Sequence, residues 1–295
     1  MRFALAVEGG RSGFPRLAEV AEWLAALGLH DWVPGRWGVP PDGAVVRAAL
    51  PGVRTPAIRH PFSSPIAADV DLERPDLTSP FERPAQLALS QLVASLQVAA
   101  SLRSPWCIVP LVGPLLLPSG RDGAGGETPE ARVRERDRRL DRLCRALHAA
   151  SRAVPEVGVA LTIASDAVTS VPEWCDPAAL ALVLEDLGSR RRCGYWHDSG
   201  VAQSLPSSRG VPATQWLDQL APRCIGIDAT DAIGAMSGLP AGVGEVDFPA
   251  LLGALPRDAI VTLRSDPFVG PGPLLAALRH LRRDRAGRSG SMEAR

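Results

Sequence analysis

Short apolar runs alternate with longer segments of helical periodicity along most of the chain, and this alternation predicts repeated βα units. Phe3 to Val7 reads as a first strand, and Phe14 to Leu27 as a helix with Leu17, Val20, Ala21, Leu24 and Leu27 on one face. His30 to Val33 predicts a short second strand, Asp42 to Leu50 a weak helix, Arg54 to Phe62 a third strand and Pro84 to Leu102 a strongly apolar helix. Trp106 to Val112 is the fourth strand. After the Gly-rich stretch Ser119 to Gly126, Thr128-Pro129-Glu130-Ala131 caps a helix that runs to about Ala153, with Thr as N-cap and Pro at the first helical position. Val157 to Ile163, Cys193 to His197, Cys224 to Ala229 and Ile260 to Leu263 read as strands five to eight. The helices between and after them start at Asp176-Pro177, Pro212, Phe248 and Pro271. From Asp284 to Arg295 the chain is polar and reads as a flexible tail.

Parallel strands need right-handed crossovers, and eight of them close into a barrel with the helices outside. The expected fold is therefore a single-domain α/β (β/α)8 TIM barrel over residues 1–283, followed by the tail at 284–295. An open doubly wound sheet is the structural alternative. Glu8-Gly9-Gly10-Arg11-Ser12-Gly13 after the first strand approaches a dinucleotide-binding fingerprint but lacks its spacing.

Composition narrows the function classes. An apolar content of 46% over 295 residues supports a substantial core. The 32 basic and 32 acidic residues balance, so no overall field favours nucleic acid or an anionic membrane. The arginine-rich helix Arg132 to Arg142 has acids interleaved at helical spacing, such as Glu135 with Arg139, as a solvated outer helix does. No lysine occurs, which excludes Schiff-base chemistry on a lysine. Five scattered cysteines without C-x-x-C spacing read as reduced structural thiols, and the expected location is cytoplasmic. Ala85 to Leu117 carries Arg103 as its only charge, but its glutamines and Pro105, Pro110 and Pro114 fit a buried helix and strand better than a membrane span.

Four segments carry a resemblance, at the ends of the fifth to eighth strands. Cys193-Gly194-Tyr195-Trp196-His197-Asp198-Ser199-Gly200-Val201-Ala202 and Cys224-Ile225-Gly226-Ile227-Asp228-Ala229-Thr230-Asp231-Ala232-Ile233-Gly234, the latter followed by Gly242-Val243-Gly244-Glu245-Val246-Asp247-Phe248, resemble the sixth and seventh strand ends of the xylose-isomerase-like barrels. That family includes sugar isomerases and sugar-phosphate epimerases. The resemblance implies a divalent metal shell, and the chain departs from it. Asp198 matches the family's metal-ligand aspartate, whereas Val201, Asp228 and Thr230 stand at histidine positions. Thr162 or Ser165 lies where the fifth strand carries a glutamate, and Arg264 replaces the glutamate of the eighth. The expectation is a barrel whose metal site is degenerate, with no metal and no other cofactor.

Candidate site residues are the polar groups at the carboxyl ends of strands, where barrel active sites lie. His60, Asp198 and Asp228 are the candidate acid/base groups, and Glu8, Arg59, Asp231 and Arg264 the candidate ligand-binding groups, with Asp266 beside them. Arg264 either holds a carboxylate or phosphate ligand together with Arg59, or plugs the vacated cavity through a salt bridge to Asp228 or Asp198. His197 should point away from Asp198 because strand residues alternate, and His148 and His280 read as surface residues. Three functions remain open. The first is a small polar or anionic metabolite-binding protein, or a non-catalytic partner of a pathway enzyme. The second is a metal-independent isomerase or epimerase with Arg264 as electrophile. The third is a scaffold with Trp23, Trp32 or Trp37 at a contact surface. A homodimer or a partner enzyme is compatible with each.

Overall fold

The computed structural model describes residues 1–7, 16–35, 43–60, 75–111, 128–163, 175–188, 193–205, 213–265 and 269–292. In chain order the elements are β1 (Arg2–Val7), α1 (Leu17–Leu27), β2 (Trp32–Pro34), α2 (Gly43–Ala49), β3 (Ile58–Arg59), α3 (Glu82–Ser101), β4 (Trp106–Leu111), α4 (Pro129–Ala153) and β5 (Gly158–Ile163). They continue as α5 (Pro177–Asp186), β6 (Cys193–Asp198), α6 (Ser199–Ser204), α7 (Ala213–Leu220), β7 (Cys224–Ile233), β8 (Met236–Pro240), α8 (Phe248–Ala254), β9 (Ile260–Leu263) and α9 (Pro271–Met292).

Hydrogen-bonded neighbours follow the order β2-β1-β9-β7-β6-β5-β4-β3, and every pair along this path is parallel. An isolated parallel bridge from Asp31 to Arg54 joins the two ends of the path. The Asp31 carboxylate reinforces this closure by accepting from Arg54 Nε at 2.6 Å and Nη2 at 3.0 Å. The result is a (β/α)8 barrel, nearly closed by its ladders and completed at the β2–β3 seam by these contacts.

Alternation along the strands sorts the core into two layers. Leu5, Val109, Leu161, Tyr195, Ile227 and Val261 face outward and pack with the helices. Ala4, Ala6, Ile108, Ala160, Trp196 and Ile260 face inward and fill the barrel. Trp196 is fully buried there, and the small residues around it make the room. A Cβ on Gly226 would sit 2.6 Å from the Trp196 ring and 2.7 Å from the Ile260 carbonyl oxygen, so only glycine fits at that rung.

Local sequence sets the helix ends. Thr128 accepts from the Ala131 N–H at 3.3 Å, Asp176 from Ala179 at 2.7 Å and Asp247 from Ala250 at 2.9 Å. Gly28 closes α1 with a left-handed φ of 62°.

Four features depart from the sequence expectation. Among the described residues the third strand is Ile58–Arg59, because Pro56 has no N–H for a ladder between Arg54 and Ile58, and the expected end at Phe62 lies outside the described residues. The seventh strand runs on to Ile233, turns at Gly234 and pairs antiparallel with β8, so a β-hairpin rises from the barrel end. Asp198 ends β6 and at once caps the short α6 by accepting from the Val201 N–H at 3.1 Å. The last helix extends to Met292, so the segment expected to be tail is helical to that residue. Among the described residues no helix is long and apolar enough to cross a membrane.

Candidate functional site

The inward register that places Trp196 in the lumen also places Asp198 above it, one step closer to the carboxyl end. The same alternation aims Asp228 and Thr230 inward on β7, Thr262 on β9 and Arg59 on β3. Arg264 follows directly after β9. Asp198 and Asp228 are directly paired rungs of neighbouring parallel strands. Two buried carboxylates on one face of adjacent strands repel each other unless cations lie between and around them.

Both cations come from this chain. Arg59 donates from Nη2 to Asp228 Oδ2, a pair in which the side chains are 6% and 0% exposed. Arg264 Nη1 lies 3.0 Å from Asp198 Oδ2 and 3.5 Å from Asp228 Oδ2, so one nitrogen bridges the two acids. Neutral donors complete the set. Asp228 Oδ1 accepts from Thr262 Oγ1 at 2.6 Å and from the Trp196 indole at 3.1 Å. Asp198 Oδ1 accepts from Thr230 Oγ1 at 2.8 Å as well as from the Val201 N–H. Ser199 Oγ donates to the carbonyls of Asp228 and Thr230, tying the start of α6 to β7.

The two carboxylates titrate in opposite directions. Burial raises the Asp198 pKa above the usual carboxylate value, and attraction to Arg264 does not fully offset it. Burial acts on Asp228 in the same sense, but Arg59 and Arg264 together with its hydrogen bonds hold it below that value.

Of the residues singled out from the sequence, the structure brings together Arg59, Asp198, Asp228 and Arg264. It does not bring His60 to them: His60 Nδ1 shares a 2.7 Å hydrogen bond with Ser95 Oγ of α3, on the outer face of β3. His197 likewise turns outward, with Nδ1 2.8 Å from the Tyr195 hydroxyl. Asp231 is held in a backbone cradle, accepting from the N–H groups of Ala232, Gly242, Gly244 and Val246 at 2.8–2.9 Å. Among the remaining histidines, His148 pairs with Asp186 on the surface, and His280 packs edge-on against Phe248 with ring centroids 5.9 Å apart. Glu8, Trp37, Ser165 and Asp266 lie outside the described residues. Thr262 and Trp196 were not singled out by sequence reasoning, although their inward register next to Asp228 was the signal available.

Whether this set fits a divalent cation can be judged from its charges and donors. Among the described residues the two carboxylates and two guanidiniums balance, and an added dication would bring two further positive charges among them. A hard cation also takes about six oxygen ligands. Among the described residues no group of three or more His, Cys, Asp and Glu side chains could hold a metal ion. Among the described residues the acids that meet at these strand ends are Asp198 and Asp228, each paired with arginine.

No family model and no curated protein matches the chain. Solved structures do. A D-tagatose 3-epimerase-like protein superposes with a TM-score of 0.70 at 16% identity, covering 99% of this chain and 100% of the other. A xylose isomerase domain protein from Planctomyces limnophilus gives 0.66 at 14% identity and 98% coverage of both chains. The fold is that of the xylose-isomerase-like TIM barrels. An L-ribulose 3-epimerase is similar to the same extent, with a TM-score of 0.66 at 14% identity and coverage of 99% and 98%. At these identities the likeness speaks for the fold, and the chemistry has to be argued from the strand ends themselves.

Within the xylose-isomerase-like fold the Arg–Asp lattice offers one electropositive group near the barrel mouth. Arg264 retains 14% side-chain exposure, while the carboxylates beneath it are 3% exposed or less.

Proposed function

We propose that this barrel binds a small polar or anionic metabolite of the sugar or sugar-acid class at the carboxyl ends of its strands, with Arg264 as the principal contact and without a divalent metal. The observation that carries this reading is the position of Arg264. Its guanidinium is anchored from below by two buried carboxylates and is the more accessible member of the lattice. An anchored guanidinium presents a planar donor set suited to carboxylate, phosphate or vicinal hydroxyl groups. The class of ligand is supported by the names of the similar structures, which include epimerases of tagatose and ribulose type.

The test is a calorimetric screen of ketoses, sugar acids and sugar phosphates against the purified protein. A ligand that binds the wild type should bind Arg264→Ala about 10- to 100-fold more weakly, the equivalent of a hydrogen bond to a charged group. Unchanged affinity in that variant would remove Arg264 from the site.

A second reading keeps the barrel an enzyme, an isomerase or epimerase that moves a proton next to a carbonyl without a metal. The raised pKa of Asp198 favours it, because a carboxyl shifted upward is a stronger base than an ordinary one. In this reading Arg264 polarises the carbonyl and Asp198 takes the proton. Incorporation of solvent deuterium at the carbon beside the carbonyl, lost in Asp198→Asn, is the expected outcome. Binding without exchange would instead leave a non-catalytic pathway partner.

A further inference from the structure

We propose that the barrel carries a second binding site on its flank, at the amino-terminal ends of β5 and β6, and that this site takes a short-chain carboxylate with its aliphatic end inward. It lies at the opposite end of the strands from Arg264 and does not depend on what the barrel mouth binds.

A cavity of about 70 Å3 lies there, between the end of α4, the end of α5 and the starts of the two strands. Its inner wall is apolar. Val159 and Cys193 are paired rungs of β5 and β6 that face outward, and with Leu147 of α4 they are buried. Burial pushes the Cys193 thiol up to about 12, so it is a neutral wall group. The rim is polar, because spacing by three and four positions brings His148, Ser151 and Arg152 to one face of α4.

Charge selects the ligand. Arg152 lines the cavity, and Arg223 lies close enough to Cys193 to attract its thiolate form. Asp186, the acid at the rim, is held by His148 Nε2 at 3.2 Å. The carbonyls at the ends of the two helices would favour a cation, but several are already taken. Val154 N–H donates to the Ala150 carbonyl at 3.1 Å, Gly188 N–H to that of Glu185 at 3.0 Å, and Arg223 to that of Gly188. Among the described residues the Arg152 guanidinium and the Ser151 hydroxyl make no hydrogen bond or ion pair, so both are available to a carboxylate. A cavity of about 150 Å3 takes benzene, so half that volume admits a chain of about three carbons. A polyhydroxylated ligand would leave its hydroxyls unpaired against the apolar wall.

Sodium propionate is the probe, titrated into the full chain with isotope-labelled leucine and valine methyls at an ionic strength fixed with sodium chloride. Saturable shifts at Leu147, Val159 and Leu187 are expected, with a Kd of about 5 mM. Propionamide, nearly the same shape without the charge, should bind about tenfold more weakly. Arg152→Ala should weaken propionate about fivefold, a modest effect because the guanidinium is exposed. Ser151→Leu, at a half-buried helical position, fills the cavity and should abolish the shifts. If that variant does not fold, Leu187→Phe fills the space from the α5 side and is read at Leu147 and Val159.

Methyls that show no saturable shift up to about 50 mM propionate overturn the proposal. Equal binding of propionamide, unchanged affinity in Arg152→Ala, or shifts that persist in the filled variant do the same. Shifts confined to methyls at the carboxyl ends of the strands, such as Val201, would belong to the Arg264 site: they would overturn the flank site and leave the proposed function standing.

Discussion

Arg59 and His60 are sequence neighbours, and the pleat of β3 sends them to opposite sides of the barrel wall. Arg59 reaches across the lumen to Asp228, while His60 is fixed to Ser95 in the helix layer. A pair of adjacent polar residues at a strand end therefore contributes one residue to the lumen, whatever its chemistry. The same alternation separates His197 from Asp198. Burial lowers the His60 pKa to about 4 and that of His197 to about 3, so both imidazoles are neutral in the folded protein at physiological pH. An unfolded histidine titrates near 6.5. Because the folded values lie below it, the associated stability is complete above about pH 6.5 and is lost as the pH falls from there towards about 4 for His60 and about 3 for His197. For His60 the loss is on the order of 3 kcal/mol. Urea unfolding at pH 7 and pH 4.5 should show a smaller drop in stability for His60→Gln than for the wild type. Equal drops in the two proteins would mean that His60 is not held neutral by its surroundings.

At the scale of elements, the hairpin after β7 explains why the Gly-x-Gly segment reads as it does. Asp231 ends the inward part of β7 and accepts four backbone hydrogen bonds, three of them from the returning loop at Gly242, Gly244 and Val246. Gly242 has a φ of 87°, and a Cβ on Gly244 would lie 2.6 Å from the Asp231 carboxylate. Both glycines let the backbone approach the carboxylate closely. Asp247 then caps α8. Asp231 thus fastens β8 and the loop onto the barrel end. Replacing it by alanine strips acceptors from four N–H groups and should cost about 3 kcal/mol in urea unfolding. Asp231→Asn keeps an acceptor oxygen and should cost about half as much. A loss below about 0.5 kcal/mol for the alanine variant would show that the loop holds itself without the carboxylate. The glycines were visible in the sequence, but their carboxylate was not, because the motif names a loop and not the group it wraps.

The whole molecule closes where its ladder is shortest. Between β2 and β3 the Asp31–Arg54 bridge stands in for a continuous ladder, with Trp32 N–H donating to the Arg54 carbonyl at 2.9 Å and Arg54 N–H to the His30 carbonyl at 2.8 Å. Asp31 is nearly buried beneath an Arg54 that is 61% exposed, so the ion pair itself is screened by solvent and its geometric restraint matters more than its charge. Asp31→Ala should raise hydrogen exchange at the Trp32 and Arg54 amides about tenfold while the β4–β5 amides stay protected. Uniform exchange across the barrel would show that the seam is no weaker than the rest. The sequence by itself determined the order of βα units, the helix starts at Thr128 and Asp176, and the polar residues available at each strand end, because these depend on periodicity and on neighbours a few positions away. Tertiary structure alone decided which of them meet. Arg59 and Asp228 are 169 positions apart, and Asp198 and Arg264 are 66 apart. Alternation fixes only the face on which a side chain lies. Its partner across the lumen follows from strand register and barrel closure, and these joined two arginines and two aspartates into one lattice.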